Sequence, residues 1–90
     1  MREYKIEQYL IKELKKLGIE TRKVQWVGRD GAPDRLILAK GGIYVELKAP
    51  GKEPRENQLR EHEKMRAVGI RVEVIDSMEG VDNFIEGIVR

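Results

Sequence analysis

This 90-residue sequence predicts a mixed α/β fold: a small mixed sheet flanked by helices, in the order α-β-β-β-α-β-α. Three observations carry that expectation. Residues 3–17, EYKIEQYLIKELKKL, repeat apolar side chains at helical spacing. Residues 35–48 hold two apolar runs joined by Lys40-Gly41-Gly42, a hairpin signal. Residues 70–76, IRVEVID, alternate apolar and charged positions after a second helical stretch. A helical crossover between strands implies a twisted sheet covered by helices.

The elements follow in order. Ile6, Leu10, Leu14 and Leu17 line one face of the first helix, with Lys5, Lys12, Lys15 and Lys16 opposite and Gly18 as the stop. RKVQWV (22–27) reads as a strand and GRDGAP (28–33) as a polar turn. RLILA (35–39) and IYVELK (43–48) are the two hairpin strands. Pro54 suits the first turn of a second helix, which sets Leu59, Met65 and Val68 on one side and closes at Gly69. Ser77 caps a final helix to about Ile88, weakened by Gly80 and Gly87.

Composition bounds the function. A chain of this size makes one domain, residues 1–90, and buries only about 60–65% of its unfolded surface, so association with a second copy would help it. Without cysteine there is neither a disulfide framework nor a thiolate metal site. No apolar run reaches the roughly 18 residues of a membrane span and no signal peptide opens the chain, so a cytoplasmic location is expected. Residues 1–60 carry 14 basic against 9 acidic side chains, whereas residues 61–90 carry 4 against 7. A basic first two-thirds fits a polyanionic partner.

The charges in GAPDRLILAKGGIYVELK (31–48) fit no plain surface hairpin. Alternation along the strand turns Ile43, Val45 and Leu47 one way and Tyr44, Glu46 and Lys48 the other. The tight turn makes the two strands neighbours, so Asp34 comes close to Glu46 and Lys48. Two facing carboxylates repel and desolvate badly unless a cation lies between them. A hard divalent ion, Mg²⁺ or Mn²⁺, meets that need, because such ions take a few carboxylates and keep several waters. Paired acids with an adjacent lysine suit phosphodiester hydrolysis, in which the metal polarises the phosphoryl group and the lysine orients or deprotonates water.

Gly31-Ala32-Pro33-Asp34, Glu46-Leu47-Lys48 and Gln58 together resemble the PD-(D/E)xK nuclease superfamily (restriction-endonuclease-like fold). Within it they resemble the virus-type replication-repair nuclease (VRR-NUC) family, whose pattern is G-x-P-D, E-x-K and a downstream glutamine. The likeness runs from the first helix to IRVEVID. It implies a metal-dependent, structure-selective DNA endonuclease of the stand-alone phage or bacterial type, a homodimer acting on four-way (Holliday) junctions. It also implies that Asp34, Glu46 and the Leu47 backbone carbonyl hold the metal, that Lys48 is the catalytic lysine, and that Gln58 stands near the site. The family's first-helix glutamate is Glu3 or Glu7. Both fall on or beside the core-facing arc, and the sequence does not separate them.

Lys23, Arg29, Arg35, Lys52 and Arg55 flank this region and suit DNA phosphate contacts, which give affinity and salt dependence without base readout. His62, among Glu61, Glu63 and Lys64, is expected to be solvent-exposed and no ligand. Trp26 is expected to be a core or interface anchor. The rival functions are a flap or nicking nuclease subunit of a phage replication complex, and a DNA-binding module that keeps the fold without cutting.

Overall fold

In the computed structural model, which describes residues 1–90, the chain runs α1 (Glu3–Lys16), β1 (Thr21–Lys23), β2 (Arg35–Ile37), β3 (Ile43–Leu47), α2 (Glu56–Ala67), β4 (Arg71–Ile75) and α3 (Met78–Ile88). The four strands form one sheet in the order β1-β2-β3-β4. The first two pairings are antiparallel and β3–β4 is parallel, with α2 as the crossover. The element order and the mixed sheet are those the sequence predicts.

Why the sheet has two unlike faces follows from side-chain alternation on β3. Ile43, Val45 and Leu47 turn to one face and are fully buried with Ile37 and Ile75 of the neighbouring strands. α1 brings Ile6, Leu10 and Leu14 to this layer and α3 brings Val81, Phe84 and Ile88, giving one apolar cluster. A hydrogen bond from the Tyr9 hydroxyl to Asp82 Oδ1 (2.7 Å) ties the two helices together. α3 starts tight against β4: a Cβ on Gly80 would meet Ser77 Oγ at 3.0 Å and Ile75 Cγ2 at 3.3 Å. The same Ser77 Oγ accepts from the Gly80 N–H at 2.9 Å. Gly80 therefore costs helix propensity but permits this close approach.

The opposite face carries Tyr44, Glu46 and Val72 and is covered by α2, with the Trp26 ring against Tyr44. The expected apolar side of α2 is not the one observed. Met65 is buried, but Leu59 is 45% and Val68 76% exposed. The residues that turn inward from α2 are Glu61, His62 and Met65. Three residues were too few to fix the period of this helix, and the stripe that packs on the sheet is largely polar.

Two predicted strands are shorter than expected. β2 ends at Ile37 instead of Ala39, where the chain enters the hairpin turn closed by Gly42 N–H to the Ala39 carbonyl (2.9 Å). β1 is Thr21–Lys23, so of the region read as a strand over 22–27 only residues 22 and 23 lie in it. After Val24, whose N–H still donates to the Asp34 carbonyl (3.0 Å), the chain leaves the sheet and crosses towards α2. Gly31 permits that crossing: its φ is +94°, and a Cβ there would lie 2.9 Å from the Asn57 carbonyl oxygen and 3.2 Å from Glu61 Cβ. Local β propensity in KVQWV thus yields to side-chain anchors described below.

The two faces make a testable contrast. Leu10→Ala removes a fully buried side chain of the apolar cluster and should cost about 2–5 kcal/mol in urea unfolding. Leu59→Ala, on the exposed side of α2, should stay within about 0.5 kcal/mol of the natural chain.

Candidate active site

The register of the hairpin assembles the acidic pair. Arg35 pairs with Val45, which sets Asp34 opposite Glu46 across the ladder. The Asp34 N–H donates to the Val45 carbonyl at 3.0 Å, and Asp34 Oδ2 accepts from the Leu47 N–H at 2.7 Å. One carboxylate is thereby fixed to the backbone of the strand that carries the other. Lys48 Nζ lies 3.5 Å from Glu46 Oε2. Asp34, Glu46 and Lys48 are brought together.

Glu46 points into the layer beneath α2 and is 1% exposed. Gln58 reaches it from the first turn of that helix. The Arg55 N–H, otherwise unpaired at a helix start, donates to Gln58 Oε1 at 2.8 Å. This leaves the amide nitrogen to donate to Glu46 Oε2 at 3.2 Å, so the orientation of the amide is determined from both ends. Gln58 is half-buried and doubly bonded, not a free surface glutamine.

His62 overturns its expected exposure. It lies one helical turn beyond Gln58, is 0% exposed, and its Nε2 stands 3.6 Å from Glu46 Oε1. Its charged sequence neighbours misled, because residues 58, 61, 62 and 65 share a helix face that 63 and 64 do not. Only three buried side-chain polar atoms in the protein lack a hydrogen-bond partner: Glu46 Oε1 and both ring nitrogens of His62. The signal that could have found His62 was the i, i+4, i+7 spacing of Gln58, His62 and Met65, once Gln58 was assigned to the site.

Burial pushes the Glu46 carboxyl up to about 7, the negative charge of Asp34 adds to the rise, and Lys48 pulls it back. Burial likewise lowers the His62 imidazole, assisted by the positive charges of Arg66 and Lys48, which favours its neutral form.

The two first-helix glutamates occupy different surroundings. Glu7 Oε2 accepts from Arg35 Nε at 2.7 Å and lies 3.6 Å from Lys23 Nζ. Glu3 has no such pairing, and its carboxyl is raised by partial burial and by the charge of Asp34, with Lys48 opposing. It is Glu3 whose carboxyl feels the charges of Asp34 and Lys48.

Of the expected phosphate contacts, Arg35 is largely sequestered by Glu7, and Lys23 also faces that carboxylate while remaining exposed. Arg29 Nη2 donates to Glu61 Oε1 at 2.9 Å, with more than half of its side chain in solvent. Lys52 and Arg55 are exposed beside the start of α2. Glu61 also accepts from Trp26 Nε1 at 2.6 Å, and the Trp26 ring meets Tyr44 edge-on at 6.1 Å. Trp26 is therefore a half-buried anchor. With Arg29 it docks the 24–34 segment, which ends in Asp34, onto the helix bearing Gln58 and His62.

No three His, Cys, Asp or Glu side chains converge as a closed metal site. The donors present still fit a hard cation that keeps most of its waters. They are a half-buried aspartate and a buried glutamate, whose mutual repulsion a cation would relieve.

Comparison with known proteins agrees with this geometry. Over 81 residues the chain is 44% identical to "Putative nuclease p44" of Acyrthosiphon pisum secondary endosymbiont phage 1, a match covering 88% of this chain and 87% of that protein. A solved structure described as "VRR_NUC domain" superposes with a TM-score of 0.84 at 38% identity, covering 93% of this chain and 94% of that one. The chain belongs to the VRR-NUC family. A second solved structure, "VRR_NUC domain protein", has a TM-score of 0.81 at 17% identity and covers 99% of this chain and 88% of its own; it shares the fold. No protein-family model matches the chain. The mixed sheet with its flanking helices is the PD-(D/E)xK nuclease fold of VRR-NUC proteins.

Two outcomes follow from this site. The Glu46 carboxyl is held above its ordinary 4.5, so the folded state binds this proton more tightly than the unfolded state. That contribution is complete below about 4.5 and is lost as pH rises through about 7. In the presence of EDTA, Glu46→Gln should therefore be more stable to urea than the natural chain at pH 8, by roughly 1–2 kcal/mol, with the difference shrinking towards pH 5. Glu61→Ala should shift Trp26 fluorescence to the red and speed amide exchange in residues 24–34, at a cost of about 1–3 kcal/mol.

Proposed function

We propose that this VRR-NUC protein is a Mg²⁺- or Mn²⁺-dependent endonuclease that hydrolyses DNA backbone bonds in branched DNA, resolving four-way junctions as a homodimer. The observation that carries the reading is the convergence of Asp34, Glu46 and Lys48 in the hairpin, with Gln58 bonded to the same glutamate. Family membership supports nucleolytic chemistry, and the phage relative is itself described as a nuclease.

In this reading Asp34, Glu46 and the Leu47 carbonyl hold the cation, Glu3 joins them from α1, and residues 1–90 act as one nuclease domain. Bound there, a divalent ion polarises the phosphodiester and makes a water more acidic. Asp34, bonded to the Leu47 N–H, and Glu46, bonded to Gln58, present oxygens whose positions are set before substrate arrives, so little reorganisation is left for the reaction. Lys48, largely buried beside Glu46, either offsets as an ammonium the negative charge that develops on the phosphate while orienting the attacking water, or as a neutral amine takes the proton of that water. Lys52, Arg55 and the exposed parts of Lys23 and Arg29 take DNA phosphates, while Arg35 acts mainly through its ion pair with Glu7. Such contacts read shape, not sequence. A four-way junction has two-fold symmetry, which a two-fold dimer with two sites would match.

The test is cleavage of end-labelled four-way junction, flap and linear duplex with Mg²⁺ or Mn²⁺, together with the solution mass of the protein. Paired symmetric cuts in the junction by a dimer are expected, abolished by EDTA and reduced on the order of 10²-fold or more by Asp34→Ala. Cutting of flaps alone would point to a replication nuclease. Metal-independent binding without any product would leave a DNA-binding module.

A further inference from the structure

Within that reading, one buried group in contact with the acidic pair has no assigned task. We infer that His62 is a positioning residue for the metal site: its Nε2–H holds Glu46 Oε1, so that the carboxylate faces Asp34 with each oxygen secured by a donor from the inward face of α2. The inference rests on the proposed metal-binding role of Asp34 and Glu46.

Both members of the pair are completely removed from solvent, at 0% and 1% exposure. Glu46 Oε2 is served by Gln58 and Lys48, whereas Oε1 accepts no hydrogen bond and lies 3.6 Å from His62 Nε2. An approach of about 0.6 Å would bring the two atoms to ordinary hydrogen-bond length. A buried carboxylate oxygen and a buried imidazole left unpaired cost stability that this small fold can ill spare. Side chains placed at such a cost are retained where they orient a functional group. The helix geometry agrees: Gln58 and His62, one turn apart, straddle Glu46 and offer a donor to each oxygen. Lys48 cannot substitute, because its Nζ is on the Oε2 side.

The test is calorimetric titration of the full chain with Mn²⁺, alongside unfolding in EDTA. The natural chain should bind Mn²⁺ and Asp34→Ala should not. His62→Gln, which keeps an N–H donor near the position of Nε2, should bind within about threefold of the natural chain. His62→Leu, or His62→Phe if the smaller side chain leaves the fold incomplete, should bind about 10–100-fold more weakly. Its unfolding temperature in EDTA should change little, since the lost donor to Glu46 Oε1 is offset by the removal of the unpaired buried Nδ1. A merely structural histidine predicts the reverse: lower stability with unaltered Mn²⁺ affinity. That result, or a loss in His62→Gln as large as in His62→Leu, would overturn the inference. Failure of the natural chain to bind Mn²⁺, or equal binding by Asp34→Ala, would instead overturn the metal-dependent reading on which it rests.

Discussion

The burial of one carboxylate organises much of this molecule. Glu46 is the penultimate residue of β3, on the face that α2 covers, and is cut off from water. A charge in that position has to be met from the protein side. Lys48 comes from the same strand, Gln58 and His62 from the helix overhead, and Asp34 from the neighbouring strand adds a repulsion instead of relief. The inner face of α2 is consequently polar where an ordinary crossover helix would be apolar. The sheet is stabilised chiefly from its other side, where α1 and α3 close the apolar cluster.

That division of labour explains the loop before β2. With α2 gaining little from apolar contacts, its seat depends on specific bonds. Glu61 accepts from Trp26 and Arg29, Gly31 lets the backbone pass close to Asn57, and Arg66 bonds the Val72 carbonyl through Nε (3.2 Å) and Nη2 (2.6 Å). The same bonds that fasten α2 also fasten the segment leading into Asp34. Support of the helix and placement of the acid are one task, so damage at Glu61 would reach the site without touching it.

Legibility in the sequence followed the strength of the local pattern. The first helix was readable because Ile6, Leu10 and Leu14 repeat at one period and all enter the apolar layer. The hairpin was readable because its glycines and its alternation fix the register, and register alone brings Asp34 to Glu46. The second helix was not, since its inward stripe of Gln58, Glu61, His62 and Met65 does not look apolar, and Leu59 and Val68 supplied a false one. The strand expected through residue 27 failed for a related reason: Trp26 has high strand propensity, but its indole N–H is taken by a glutamate 35 positions away.

By itself the sequence determined the element order, the two faces of the hairpin, and the nearness of Asp34 to Glu46 and Lys48, whereas the glutamine on the next helix entered only through the family resemblance. The first three depend on periodicity or on residues near one another along the chain. Only the tertiary structure decided that His62 lies inside against Glu46, that Glu7 is taken by Arg35, and that the Glu3 carboxyl is left to feel the charge of Asp34. Those outcomes depend on which helix face meets the sheet and on which charges lie within a few ångströms across elements. Spacing in a single chain does not encode such distances when the face concerned is polar.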